Sequence, residues 1–230
     1  MTLTAQTSVG DTNPASVDLY RDIHKGIRAE LFALTGEAGR IDPASSAARA
    51  AVADQVRGLV QVLEAHADHE DTAIGPVLEQ QLPHLAERIA GDHLLLAGRT
   101  AQLVDRAEDA ASSGGPASHQ LYLDLAEFTG VYLVHQDVEE RMVAPALSQV
   151  VGPDAMMAIH GAIIASIPPD EMARSLAFML PAMNVDGRAE LLGGMQAAAP
   201  RQVFEGVWGL AASVLPPADH AAVGARLGIA

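Results

Sequence analysis

Two short segments of this chain place an imidazole and a carboxylate four residues apart, His66 with Glu70 and His135 with Glu139. On an α-helix, residues i and i+4 differ by about 40° around the axis and lie roughly 6 Å apart along it, so each pair projects from one face. That face also carries an apolar stripe. Val52, Val56, Leu59, Leu63 and Ala73 accompany the first pair, and Leu121, Leu125, Phe128, Tyr132 and Met142 the second. An ionisable group on a buried stripe is costly unless something compensates it. Two imidazole–carboxylate pairs facing one core, with His24 and His93 on the stripes of two further helices, compensate one another if a cation sits between them. Facing helices build carboxylate-bridged two-metal sites in this way, with glutamates able to bridge and histidines at terminal positions.

The chain has no cysteine. Disulfides, thiolate ligands, cysteine-ligated iron–sulfur clusters and cysteine nucleophiles are therefore all excluded. A metal site must use His, Asp and Glu, which suits iron, manganese or zinc.

An internal repeat organises these residues. The segment HADHEDTAIGPVLE from His66 aligns with HQDVEERMVAPALS from His135, 69 residues later, and His, Glu, the acid after it, Pro and Leu coincide. At the same offset Asp22-Ile23-His24 falls on Gly91-Asp92-His93. The first helix thus resembles the third and the second resembles the fourth. Two helical hairpins related by a pseudo-twofold axis make a four-helix bundle.

The elements that must hold the site follow from periodicity and punctuation. Residues 1–15 read as a disordered lead. Ser16 or Asp18 can cap a first helix with the stripe Tyr20, Ile23, Ile27, Leu31, Leu34, ended by Gly36 and Gly39. Asp42-Pro43 reads as an N-cap followed by Pro at N1 and starts the second helix. Leu82-Pro83 separates it from a third with Leu85, Ile89, His93, Leu96, Thr100 and Leu103, and Ser112 to Pro116 reads as a loop before the fourth. His93 lies 21 residues before Gly114 and His135 lies 20 after Gly115, so both stand at one height above their turn. His24 is 15 residues before Gly39 but His66 is 24 after Asp42, so a kink, or a first turn bent away from the bundle, is needed there.

The expected class is all-α, an up-down-up-down four-helix bundle over residues 16–150 with a helical C-terminal extension over 151–230. Pro168-Pro169-Asp170, Asn184 to Gly187, Pro200 and Pro216-Pro217 divide the extension into about five short helices. It is rich in Met and Ala and is expected to pack on the bundle or on a second copy in a homodimer. Hydrophobic residues make up 49% of the 230-residue chain and aromatics only 3%, a palette that fills helical cores rather than sheets. The formal charge of −15 repels phosphate backbones and argues against nucleic-acid binding. The N-terminus lacks the basic start and apolar core of a signal peptide, and no run reaches roughly 18 unbroken apolar residues, so a cytoplasmic protein without a membrane span is expected.

His24, His66-x3-Glu70, His93 and His135-x3-Glu139 together resemble the pattern of haemerythrin-like (HHE cation-binding) domains, and the Pro-x-Leu continuations resemble that family too. The resemblance covers roughly residues 16–150. It implies a bundle holding two non-haem iron ions, bridged by the two glutamates and by an oxo or hydroxo group, with dioxygen, hydrogen peroxide or nitric oxide as the small ligand. Oxygen-carrying members place a second histidine one turn after the first on the third helix, where this chain has Ala97; Ile89 stands one turn before. They also use His-x4-Asp on the fourth helix, where this chain offers Glu139 at i+4 and Glu140 at i+5. The repeat favours Glu139. One histidine fewer implies an open position on one iron, which suits turnover such as peroxide decomposition better than reversible oxygen carriage. Non-catalytic sensing of oxygen, nitric oxide or iron is the alternative.

Several residues stand close enough to support the ligands. His69 either replaces the missing histidine or lies beside the site. Tyr20 and Tyr132 either reach it as hydrogen-bond donors or redox-active phenols or simply pack the core, and Asp22, Asp71, Asp92 and Glu140 either orient imidazoles or form a solvated face. His160 lies in the apolar run Met156–Ile167. His84, His119 and His220 are expected at the surface or at helix ends. Met156, Met157, Met179 and Met183 are expected to serve packing or a dimer surface.

Overall fold

A computed structural model describes residues 17–229. Four long helices form the bundle: α1 (Arg21–Ala38), α2 (Ser46–Ala73), α4 (Pro83–Ser113) and α5 (Gly115–Val138). A short α3 (Gly75–Gln81) lies between α2 and α4. After α5 the chain continues through a π turn, Glu139–Val143, into α6 (Ala144–Ser166). Then come α7 (Pro169–Ala182), α8 (Val185–Ala198), α9 (Arg201–Val214) and α10 (Pro217–Leu227). The described residues contain helices and no strands. The expected lead, residues 1–15, and Ser16 lie outside them.

Each bundle helix buries most of the stripe read from its sequence; Met142, expected on the fourth stripe, falls in the π turn after α5 and is 52% exposed. Ile27, Leu31 and Leu34 of α1 meet Val52, Val56, Leu59 and Leu63 of α2, Leu96 and Leu103 of α4, and Leu121, Leu125, Phe128 and Tyr132 of α5 in one core. The helices pack in a ring in which α1 and α4 both touch α2 and α5. At the end of the bundle where the chain enters α1, a second cluster (Tyr20, Ile74, Leu78, Ile89, Val143, Leu147 and Met156 among it) ties α3 and α6 to the helix ends.

Local signals explain most boundaries and correct some. Asp18 Oδ1 accepts the backbone N–H groups of Tyr20 and Arg21, so it serves the start of α1. The second helix does not begin at Asp42-Pro43. Asp42 Oδ1 instead accepts the Ala44 N–H within a turn, and Ser45 is the N-cap, its Oγ accepting the Ala48 N–H. Residues 39–45 are thus a connection rather than a first helical turn, which shortens the excess length of α2 that the ligand depths had implied. The expected loop at Ser112–Pro116 contracts to Gly114 alone, whose φ of 78° is left-handed and suits glycine.

The repeat recurs in the backbone. Pro76 and Pro145 each lie six residues after the repeated glutamate and lack the N–H that would continue the α ladder. In the first half the helix is interrupted at Ile74 before α3. In the second it widens, with the Ala144 N–H bonding the Glu139 carbonyl, a π arrangement.

The last section does more than coat the bundle. Leu176, Leu180, Met183, Leu192, Phe204, Ala211, Leu215 and Val223 form a core of their own among α7–α10. Buried Arg188 holds it together, donating to the carbonyls of Leu180 and Pro181 and to Asp219. The section meets the bundle through α7 on α1. Gly26 makes the approach close, since a Cβ there would lie 2.4 Å from Cε2 of Phe178. The helix from Gly115 to Ser166 contains a stretch long and apolar enough, by length and composition, to cross a membrane. Its first half is bundle core, and Gly152 (φ 78°, ψ 173°) kinks it before Pro153.

Candidate metal centre

The four histidines and two glutamates converge at one level inside the bundle. His66 Nε2 lies 3.1 Å from Glu70 Oε1, and His135 Nε2 lies 3.2 Å from Glu139 Oε1, the two i,i+4 pairs of the repeat. His24 Nε2 lies 3.2 Å from His66 Nε2 and 3.4 Å from Glu139 Oε2. His93 Nε2 lies 3.4 Å from Glu70 Oε2 and 3.7 Å from Glu139 Oε1. Two overlapping groups result: His24, His66, Glu70 and Glu139, and Glu70, His93, His135 and Glu139. Within each, the donor atoms lie within 4.8 Å of one another. Both groups contain both carboxylates, and each adds two imidazoles, so the pseudo-twofold axis passes between the glutamates.

The outer nitrogens of two imidazoles are anchored in matching fashion. His24 Nδ1 is 3.0 Å from Glu140 Oε1, and His93 Nδ1 is 2.8 Å from Asp71 Oδ1. Asp71 and Glu140 occupy equivalent repeat positions, immediately after Glu70 and Glu139, as His24 and His93 do on the other helices. Each acid therefore reaches across to the histidine of the opposite hairpin. An Nδ1–H donated outward leaves the Nε2 lone pair directed inward, the tautomer a metal ligand requires. Glu140 is in turn held by Arg28, whose Nη1 and Nη2 lie 2.6 and 3.0 Å from its two oxygens. Arg28 stands one turn after His24, but its part in the site comes from Glu140 on the opposite hairpin, which spacing along α1 does not reveal. Asp92 is bound by Arg88 at 2.8 Å and stays 3.8 Å from His135 Nδ1, too far for a hydrogen bond. Asp22 pairs with Arg21 and Lys25 instead of any ligand.

Charge at the centre is unbalanced without a cation. Both oxygens of Glu70, both of Glu139 and Nε2 of His93 are buried with no hydrogen-bond partner. Leaving a buried ion uncompensated costs on the order of several kcal/mol, more than any single hydrogen bond contributes, so a set of orphans pointing at one another is a poor packing solution and a good ligand set. Burial and the neighbouring Glu139 push the Glu70 carboxyl well up. Burial opposes ionisation of Glu139, but His135 and His93 outweigh it and hold that carboxyl far below the usual range. Burial, then His24, pushes His66 down to about 3. Burial also disfavours the charged form of His93, yet Glu139, Glu70 and Asp71 together raise it to about 11. The metal-free centre thus traps protons where a cation would sit, and the donor set of four imidazoles and two carboxylates fits iron, manganese or zinc.

The remaining sequence candidates fall into place around this centre. Tyr20 lies against His24 with the rings tilted by 41° and their centroids 5.1 Å apart, and Tyr132 lies edge-on to His135 at 5.7 Å. Burial first, then Glu70 and Glu139, pushes the pKa of both phenols up, so both remain protonated. His69 belongs to neither donor group. Its Nε2 is 2.7 Å from Glu171 Oε1 and its Nδ1 is 3.0 Å from Ser166 Oγ, because the side chain turns outward from α2 toward the C-terminal helices. It does not replace the absent histidine. His160 also joins neither group. His84 and His119 are exposed. His220, expected at the surface or a helix end, stands in the first turn of α10, half-buried, with its ring 3.9 Å from that of Trp208. Met156 and Met183 are core residues, while Met157 is 56% exposed.

A cavity of about 450 Å³ between α2 and α4 reaches this centre, with Glu70, His93 and Glu139 in its wall. Ala97 and Ile89 line it, one turn on either side of His93. The position where oxygen carriers are expected to have a second histidine is therefore open space.

A helical bundle with two carboxylate-sharing imidazole clusters in its core defines a cation-binding four-helix protein. The model of the Hemerythrin HHE cation binding domain matches residues 15–147, more than half of the chain, and the protein belongs to that family. No curated protein and no solved structure matches the chain.

Proposed function

We propose that this protein is a non-haem di-iron protein that reacts with dioxygen or peroxide, with peroxide decomposition as its activity. The observation that carries this reading is the pair of four-donor groups sharing Glu70 and Glu139, with a cavity at their side where Ala97 leaves room. His24, His66, His93 and His135 would hold two iron ions by Nε2, with Glu70 and Glu139 between them. Iron bound there would supply the electrons and charge stabilisation by which two hydrogen peroxide molecules become two waters and one dioxygen. The chain's own contribution is orientation and exclusion. Glu140 and Asp71 fix two imidazoles, and Tyr20 and Tyr132 close the ends of the site with neutral phenols. Each donor group offers two imidazoles together with the two shared carboxylates.

Metal content and an optical spectrum of the purified protein test the reading first. About two irons per chain are expected. Stoichiometric zinc, or no metal after growth in iron-replete medium, sinks it. Rapid peroxide consumption should then vanish in Glu70→Ala.

A second reading, sensing of oxygen, nitric oxide or iron without turnover, is favoured by one observation. His69, next to Glu70, is bonded to Glu171 and Ser166 of the C-terminal helices, so the centre and the extension share a hydrogen-bonded connection. Reversible ligand binding without peroxide turnover would select it.

A further inference from the structure

We infer that the cavity between α2 and α4 is the route by which a divalent cation reaches the buried centre, and that Glu64, Asp68 and Glu79 form an acidic mouth that draws it in. The inference rests on the di-metal reading above and adds a role for residues outside it.

The ligand atoms are enclosed. Glu70 is 6% and Glu139 1% exposed, so an ion must pass between helices to reach them. The cavity between α2 and α4 opens such a gap, with both carboxylates in its lining. Their oxygens have no hydrogen-bond partner and line the cavity, so its inner end is built of unpaired negative donors.

The outer end repeats that sign. Glu64, Asp68, Asp71 and Glu79 line the cavity and are exposed, and no Lys or Arg lines it. Glu64 and Asp68 stand at i,i+4 on α2, where like charges destabilise a helix by a few tenths of a kcal/mol. Among the described residues no salt bridge relieves Glu64, Asp68 or Glu79, whereas other surface acids carry arginine partners, as Glu127 does Arg99 and Asp124 does Arg106 between α4 and α5. A cleft of one sign with low-dielectric walls focuses field and raises the local concentration of counter-ions. Asp71 connects the two ends. It is 56% exposed at the mouth while its Oδ1 holds His93 Nδ1. A hydrated cation would thus pass from exposed carboxylates to Asp71 and then to Glu70 and His93.

The test is the rate of ferrous iron uptake by the metal-free full-length chain under anaerobic conditions, followed by rapid quenching with a ferrous chelator. The variant is Glu64→Gln with Asp68→Asn and Glu79→Gln, all exposed and none a ligand. A control removes as much charge elsewhere, by Asp105→Asn, Glu108→Gln and Asp154→Asn. The mouth variant is expected to load about tenfold more slowly at low ionic strength, with the deficit fading at about 0.5 M salt as screening shortens the field. Final iron stoichiometry should be unchanged, and the control should load like the parent. Equal rates for parent and mouth variant at low salt, with normal stoichiometry, overturn the route while leaving the metal centre standing. An equal slowing in the control assigns the effect to net charge and overturns it as well. A parent chain that takes up no iron overturns the di-metal reading, and the route with it.

Discussion

Oε1 of Glu140 lies 3.0 Å from Nδ1 of His24, an imidazole of the opposite hairpin, although Glu140 directly follows a residue whose carboxylate faces the same imidazole's other nitrogen. The π turn that begins at Glu139 accompanies this division, in which neighbouring glutamates address opposite sides of one ring. Glu140→Gln removes the charge that fixes the His24 tautomer and leaves Arg28 unpaired. Metal affinity is expected to fall about 10- to 100-fold with the fold intact. Competition with a graded series of chelators measures it, and an unchanged affinity would show that His24 needs no anchoring.

Asp71→Asn should reproduce that loss on His93, because Asp71 and Glu140 are equivalent in the repeat. The combined variant with Glu140→Gln tests whether the two act on separate imidazoles. Their effects on log affinity should add, since the anchors do not touch. A double variant no worse than either single one would place both anchors on one ion.

Ala97→His puts an imidazole into the cavity wall one turn after His93. Iron content should remain at the parent level. Peroxide consumption is expected to drop by about tenfold or more as the open space beside the centre is filled. Turnover unaffected by this substitution would mean that peroxide does not approach from the α2–α4 side.

Gly26→Ala drives a methyl into the ring of Phe178 and should loosen α7 from α1. A loss of about 1–3 kcal/mol in stability is expected from such overpacking. Thermal melts of Gly26→Ala, Phe178→Ala and the pair give the check. The second change should cost less in the Gly26→Ala background than in the parent, because removing the ring relieves the clash.

Acid should destabilise the metal-free protein through three groups at the centre whose pKa is depressed by folding, His66, Glu139 and Glu140. His66, pushed down to about 3 chiefly by burial, contributes stability present above its ordinary value near 6.5, and that contribution is lost as pH falls through 3. Glu140 contributes above about 4.5, and that part is lost toward 2; burial opposes its shift, and His24 and Arg28 produce it. His93 has the opposite sign. Raised to about 11, it stabilises fully below about 6.5 and loses its contribution as pH climbs through 11. Glu70, pushed well up by burial and Glu139, adds stability below about 4.5 that is lost as pH rises. The melting temperature of the metal-free chain should therefore decline most steeply below about pH 4.5, where His66, Glu139 and Glu140 lose their contributions together. In His66→Gln that decline should be shallower, with Glu139 and Glu140 remaining.

The local facts of this protein were written in its sequence. A four-residue interval fixes His66 beside Glu70 and His135 beside Glu139, whatever surrounds them, because helix geometry depends only on neighbouring residues. The 69-residue repeat implied the pairing of hairpins, and the prolines after each glutamate marked the backbone breaks. Position beside the ligands already marked Asp71 and Glu140 as groups able to orient imidazoles, but only packing decided that each reaches the histidine of the opposite hairpin. What tertiary structure decided was everything set by packing between helices. His24 meets His66 despite unequal distances from their turn, because residues 39–45 form a connection and interhelical alignment is a property of the whole bundle. His69, one residue from a ligand, faces outward to Glu171, and nothing in its spacing foretold that the C-terminal helices would be there. The space beside Ala97 likewise exists only because residues of α2, α3 and α4 meet around it. A sequence names the groups that can ligate, but burial, enclosure and access belong to the packed chain, where residues distant along it become each other's solvent.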